Sequence, residues 1–221
     1  GEWPSILPGI KVDDSIKALG QLAAFWRKKF QIPVIGVTGS NGKTTTKEMI
    51  ASILAQAGEV HFSPGNFNNH IGVPLTLLGL RAHHNFAVVE MGMNHPGEID
   101  YLSSITQPSI ALLLNAATAH LEGLGTLAGV ARAKGEILQG VRNNGSVIVN
   151  ADDRFKNYWL SRSKQFHTFT FGMRNKADVN GNVETKAESQ IIDIDLSGKL
   201  LNIELKLIGS HNASNAVAAA T

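Results

Sequence analysis

The 221-residue chain has no cysteine, which excludes a disulfide framework and any thiolate chemistry. That is compatible with a reducing compartment. Neither sign of charge prevails. The 20 Lys+Arg and 18 Asp+Glu leave +2, too balanced for a protein that coats nucleic acid or a membrane surface. No uncharged apolar run approaches the roughly 20 residues that span a bilayer. Gly1-Glu2-Trp3-Pro4 has neither the basic nor the apolar region of a signal peptide. Internal repeats and low-complexity tracts are missing too. With 43% hydrophobic and 17% charged residues, disorder is excluded as the main state. The length suits one large or two small domains with a real core. Glycine is the plentiful residue; 22 of them point to tight turns or loops that hug phosphate.

Hydrophobic patterning sets the expected order of elements. Asp13-Asp14-Ser15 offers a helix N-cap, and Ile16, Leu19, Leu22 or Ala23, and Trp26 follow at helical spacing. Arg27-Lys28-Lys29 suits the end of that helix, and Pro33 closes the segment. Val34–Thr38 then reads as a buried strand, and Lys43–Ala57 as a helix stopped by Gly58. Further strands are expected at Phe86–Val89, Ile110–Leu114 and Ser146–Val149, with helices from near Gly97 and over Leu127–Leu138. Continuous apolar strands alternating with helices imply an α/β fold with a mainly parallel sheet covered on both faces. Beyond about residue 165 the pattern changes. Ile192, Ile194 and Leu196, then Leu201, Ile203, Leu205 and Leu207, alternate with polar residues around Ser197-Gly198-Lys199, predicting a small antiparallel β element. A last helix starts near Asn212 and reaches Ala216–Thr221 without a stop signal, so a fragment of a longer protein is expected.

Gly36-Val37-Thr38-Gly39-Ser40-Asn41-Gly42-Lys43-Thr44-Thr45-Thr46 carries the most specific chemistry. A strand enters it and a helix leaves it, the context of a phosphate-binding P-loop. Glycines let backbone N–H groups turn toward phosphate oxygens, and the helix adds its N-terminal dipole. Lys43 would sit on the outer phosphates and the Thr44 hydroxyl would ligate Mg²⁺. Val37 occupies the first glycine of the strict Walker pattern, so the spacing is a G-x-x-G-x-x-G-K-T variant. ATP or GTP is the expected ligand.

Other segments allow two readings on residue chemistry alone. Glu90 ends a strand beside that loop, where an acid either ligates Mg²⁺ or is solvated. The amides Asn66, Asn68 and Asn69 either form a turn or contact substrate. His120 and Lys134, each alone, read as structural or solvated as easily as functional. Asn212 either caps the last helix or, with Asn215 three residues on, faces a ligand. Asn150-Ala151-Asp152-Asp153 reads first as a chain reversal.

Thr38–Thr45 resembles the nucleotide loop of the Mur ligase family, ATP-dependent amide-forming enzymes of peptidoglycan synthesis whose superfamily includes folylpolyglutamate synthetase. Glu90–Ile99 and Pro64–Leu75 resemble segments of the member that adds D-alanyl-D-alanine, although an acidic residue is usual at the place of His70. Gly209–Ala216 resembles the family's G-x-H-N-x-x-N segment. The resemblance implies ATP bound by Gly39, Ser40, Asn41, Gly42, Lys43, Thr44, Thr45, Asn212 and Asn215. It implies one Mg²⁺ on Thr44 and Glu90, and a second on His120 and a CO₂-derived carbamate of Lys134. Lys43, His120 and Lys134 are then the catalytic set, and Asn66, Asn68 and Asn69 contact substrate.

The implied reaction joins D-Ala-D-Ala to UDP-N-acetylmuramoyl-tripeptide through an acyl phosphate, in a cytoplasmic monomer without nucleic acid or membrane insertion. Residues 1–31 would be a remnant of an N-terminal UDP-substrate domain and 32–221 the central ATP-binding domain, with a C-terminal domain absent. Such a piece is expected to bind ATP weakly and to form no amide by itself. A sibling amide ligase, a P-loop kinase or nucleotide hydrolase, and a non-enzymatic module are the other readings.

Overall fold

The structure is a computed structural model that describes residues 9–118 and 121–221. The elements run α1 (Ser15–Arg27), β1 (Val34–Thr38), α2 (Lys43–Leu54), β2 (Val60–Phe62), α3 (Gly72–Leu78), β3 (Phe86–Glu90), α4 (Glu98–Thr106), β4 (Ile110–Leu113), α5 (Leu121–Leu124) and α6 (Leu127–Gly135). A short 3-10 helix (Glu136–Gly140) leads to β5 (Ser146–Asn150), α7 (Lys156–Arg162), β6 (His167–Gly172), β7 (Val179–Thr185), β8 (Gln190–Leu196), β9 (Lys199–Leu205) and α8 (Ser210–Ala220).

All nine strands form one sheet in the order β2-β3-β1-β4-β5-β6-β7-β8-β9. Pairing is parallel from β2 to β7 and antiparallel across β7-β8-β9. The antiparallel element expected from alternation is therefore an extension of the main sheet. β8 and β9 are joined through Ser197-Gly198, where both residues have positive φ, the conformation of a two-residue hairpin turn.

Successive residues of the parallel strands serve opposite faces. Val34, Ala87, Val89, Ala111, Leu113, Val147 and Val149 pack in a core with residues of α1, α3, α4 and α6. Ile35, Val37, Val88, Leu112 and Ile148 join the other core, under α2 and α8. Burial on both faces is why these strands read as unbroken apolar runs. Ile192 and Ile194 of β8 join the second core, while Asp193 and Asp195 between them are exposed.

Several elements differ from expectation. The α2 helix ends at Leu54, because Gln56 and Ala57 turn back onto Ile53 and Leu54 with i→i−3 bonds. The helix expected over 127–138 changes at Gly135 to the tighter 3-10 form, whose Gly140 packs on the Ser103 backbone of α4. Strands β2, β6 and β7 and helices α3, α5 and α7 had no expected counterpart. β7 contains Asn180, Gly181 and Asn182, poor strand formers held in place by α8 packing. A side chain at Gly181 would run into Val217 of α8. Among the described residues no helix is long and apolar enough to cross a membrane.

Candidate active site

Chain order places the site. β1 lies between β3 and β4, so the chain switches from one side of β1 to the other between those strands. The crevice beyond the carboxyl ends of such strands is where open α/β sheets bind ligands. Register puts Val37 opposite both Glu90 and Leu112, so the loop after β1, the end of β3 and the segment after β4 meet there.

The loop Gly39–Gly42 is held from one side by Asn115. Its backbone carbonyl accepts from Ser40 N at 3.0 Å, and its side chain exchanges two bonds with the Asn41 backbone, at 2.9 and 3.0 Å. Gly42 has φ +82°, the left-handed region, and a side chain there would run into the Asn215 amide. Gly39 faces Leu114, whose Cβ would lie 2.8 Å from an added one. Among the described residues the N–H groups of Lys43, Thr44 and Thr45 have no acceptor, leaving the first turn of α2 open to an anion. The Lys43 ammonium lies against the loop, donating to Gly39 O at 2.9 Å and Ser40 O at 3.4 Å. Burial lowers its pKa, and the Glu90 charge opposes that shift. These features fit a polyphosphate.

Glu90 is 1% exposed, and its oxygens are divided between two loops. Thr44 Oγ1 donates to Oε2 at 2.9 Å and Asn68 Nδ2 to Oε1 at 2.7 Å. Its own N–H donates to Ser63 Oγ at 3.1 Å. A hydroxyl and a carboxylate at the mouth of a phosphate loop are the hard oxygen donors that Mg²⁺ takes. Among the described residues no group of three or more His, Asp or Glu side chains gathers as a ready-made metal cage. That fits a Mg²⁺ completed by phosphate oxygens and water.

A cavity of about 580 Å³ opens beside this junction, lined by Lys43, Asn68, Asn69, His70 and the segments Gly92–Asn94, Pro96–Glu98 and Tyr101–Leu102. Asn69 also accepts from Ile71 N and Gly72 N at 3.0 and 2.9 Å, which ties it to the start of α3. Asn66 is exposed and outside the cavity lining. Gly92 permits the close approach of Asn68, whose Cγ would lie 2.9 Å from an added Cβ.

Lys134 lies on α6 and is 2% exposed. Burial, assisted by the nearby Lys43 charge, depresses its pKa to about 7. Among the described residues it has no carboxylate partner. A substantial share of neutral amine at neutral pH is what reaction with CO₂ requires. His120, the other expected ligand, lies outside the described residues.

The last helix closes the far side of the loop. Asn215 is buried against Gly42, while Asn212 donates to Ile208 O at 3.0 Å and caps nothing at the start of α8, where Gly209 stands. A second cavity, about 480 Å³, is lined by Asn115, Asp152, Arg174, Asn182, His211 and Ser214 among others, without Asn212. Sequence reasoning named Gly209–Ala216 as a motif without a separate role for His211 or Ser214, and gave none to Asn115, which follows β4. Asp152 and Asp153 do reverse the chain. Asp152 accepts from the backbone of Met173, Arg174 and Asn175, and Asp153 from that of Ala116 and Phe155.

Comparison with known proteins gives a consistent picture. Residues 37–221 match the family described as the Mur ligase middle domain. The UDP-N-acetylmuramoyl-tripeptide–D-alanyl-D-alanine ligase of Escherichia coli K12 is 43% identical over 216 residues, covering 97% of this chain and 48% of that protein. A crystal structure of MurF from Acinetobacter baumannii superposes with a TM-score of 0.91 at 41% identity, covering 95% of this chain and 46% of its own. MurF from Thermotoga maritima in complex with ADP gives a TM-score of 0.87 at 30% identity, with 95% and 49% covered. The chain spans about half the length of the curated relatives it matches.

Proposed function

The chain belongs to the Mur ligase family, and from that premise we propose that it is the ATP-binding part of the ligase joining D-Ala-D-Ala to UDP-N-acetylmuramoyl-tripeptide. One observation carries the reading: the Glu90 carboxylate is clamped between Thr44 of the phosphate loop and Asn68 of the cavity wall. A phosphoryl donor in the loop and a carboxylate acceptor in the cavity would then lie on two sides of one acid, the arrangement that phosphoryl transfer to a substrate requires. The names of the E. coli and A. baumannii relatives support the choice of substrates, and the ADP in the T. maritima complex supports the nucleotide.

The open N–H groups of α2 and the Lys43 ammonium bind the β- and γ-phosphates and draw charge from the leaving ADP oxygen. The γ-phosphoryl group passes to the terminal carboxylate of the tripeptide in the cavity beside Asn68 and Asn69, giving an acyl phosphate and ADP. The amine of D-Ala-D-Ala attacks that carbonyl; inorganic phosphate leaves and the amine gives up its proton. Thr44 and Glu90 would hold a Mg²⁺, and His120 with a carbamate on Lys134 would hold a second; such ions would supply charge screening among the phosphates and the carboxylate. Burial of Lys134 favours its neutral amine, the form that adds CO₂. Asn215 braces Gly42, and His211 and Ser214 line the cavity on the adenine side of the loop. The proposed substrates are small molecules, and the full-length enzyme is proposed to work as a cytoplasmic monomer, with residues 1–31 leading in from the UDP-substrate domain.

The decisive experiment is acceptor-dependent phosphate release by the full-length ligase, comparing D-Ala-D-Ala with diamino acids and glutamate. Stimulation by D-Ala-D-Ala alone is expected. Release that ignores every acceptor would make the protein a nucleotide hydrolase, and stimulation by a diamino acid a sibling ligase. Lys134→Ala should leave nucleotide affinity intact while lowering turnover.

A further inference from the structure

One turn after Lys43, on the same helix, Lys47 is fully buried. All three donors of its ammonium are used. It donates to Ser63 O at 2.7 Å and Gly65 O at 2.8 Å, and it pairs with Glu48 Oε1 at 3.1 Å. The Phe62 ring lies 5.7 Å away and covers it. The reaction as derived above uses no part of this residue. A buried cation is costly unless its hydrogen bonds are satisfied, and a cheaper apolar residue could fill the same space on α2. The two carbonyls it holds are therefore the informative part.

Ser63 and Gly65 lie between β2 and Asn66–Asn69. The Ser63 hydroxyl accepts the Glu90 N–H, and Gly65 turns the chain with φ +50°. Three residues further on, Asn68 O accepts Gly92 N at 2.8 Å while its amide reaches Glu90. The amide-bearing loop is thus fixed to β3 by Glu90 and Gly92, and to the nucleotide helix by Lys47. Lys43 and Lys47 project from adjacent turns of α2, one toward the phosphate loop and one toward the amide loop.

Building on the proposed ligase reading, we infer that Lys47 is a positioning residue. It sets the amide loop Asn66–Asn69 at a fixed distance from the phosphate loop and so aligns the tripeptide carboxylate with the γ-phosphate. It touches neither substrate. Its loss should loosen the cavity wall while sparing the phosphate loop, which Asn115 holds independently.

The test is steady-state kinetics of the full-length ligase with Lys47→Met, which keeps the length of the stem, and Lys47→Arg, which keeps the donors. Lys47→Met should raise KM for the UDP-tripeptide by about 10-fold or more and leave KM for ATP within about 2-fold. Lys47→Arg should recover most of the loss. Lys47→Gln, which keeps two N–H donors without the charge, supplies the same split should the methionine variant not fold. Unchanged tripeptide KM in a folded variant, or an equal rise in both KM values, would overturn the inference. Wild-type enzyme without D-Ala-D-Ala-dependent phosphate release would instead overturn the ligase reading, and this inference with it.

Discussion

The parallel part of the sheet and its antiparallel extension differ in how water sees them. Strands β1, β3, β4 and β5 are buried along almost their whole length. β8 alternates buried and exposed residues, and β9 has no buried residue at all. The phosphate loop and Glu90 lie at the carboxyl ends of the first group, and the amide loop after β2, Lys134 of α6 and Asn215 of α8 complete the candidate site. A strand packed on both faces cannot slide or tilt without breaking two cores, so the roots of the loops at its end are fixed. The extension contributes one wall of the second cavity through Asn182 and Val183, and a platform for α8. Chemistry sits on the rigid half, and the extension supports it from one side.

The largest expected effect on ligand binding tests that division at the phosphate loop. Lys43→Ala in the 221-residue chain should weaken Mg-ATP binding by about 100-fold, ~2.7 kcal/mol, by calorimetry, while leaving the unfolding midpoint within error. Equal affinity would remove the phosphate loop from the site. The next compares burial directly. Leu113→Ala, on a fully buried position of β4, should cost about 2–5 kcal/mol in urea unfolding. Leu200→Thr, on a β9 position 75% exposed, should stay within about 0.5 kcal/mol. Similar costs would mean that the extension is as integral to the fold as the parallel strands.

The smallest effect is a pH dependence confined to the parallel half. His61 of β2 is held below the usual histidine pKa by burial, against the raising effect of its bond to Thr76 O, and His84 by burial and by His61 and His83 beside it. The imidazoles of His61 and His84 stack 4.9 Å apart. The unfolded chain takes these protons at about pH 6.5, the fold only at lower pH, so the unfolded state binds more protons in between. This stability contribution is complete above about pH 6.5 and is lost as pH falls. Hydrogen exchange at pH 7.5 and 5.5 should show β2 and the end of α3 loosening in acid. β7–β9, which contain no histidine, should be unaffected. Uniform loosening of both halves would deny the local origin of the effect.

Legibility followed the same division. Val34–Thr38 and Ile110–Leu113 were plain in the sequence because burial on two faces leaves little but apolar residues. Spacing in Thr38–Thr45 announced a phosphate site because few other uses need glycine, lysine and hydroxyl in that order. β7 was missed because Asn180, Gly181 and Asn182 are poor strand formers, and Gly181 packs under Val217 of α8, a contact between distant parts of the chain. Arg27 read as a basic helix end; in the fold it is fully buried and donates to Thr106 O and Gln107 O. Burial lowers its pKa to about 10. Besides the nearby Phe30 O, its acceptors lie about eighty residues away, which nothing local to Ser15–Arg27 could have shown.

Amino-acid order alone determined the parallel α/β architecture, the phosphate loop and the inventory of side chains available for chemistry, because these depend on periodicity and short spacings. Tertiary structure decided which of those side chains meet. Glu90 is shared by Thr44 and Asn68, Lys134 is stripped of water until its amine is half neutral near pH 7, and Asn215 rather than Asn212 presses on Gly42. Those outcomes depend on strand order and on desolvation, which are properties of the packed sheet and are written in no single segment of the chain.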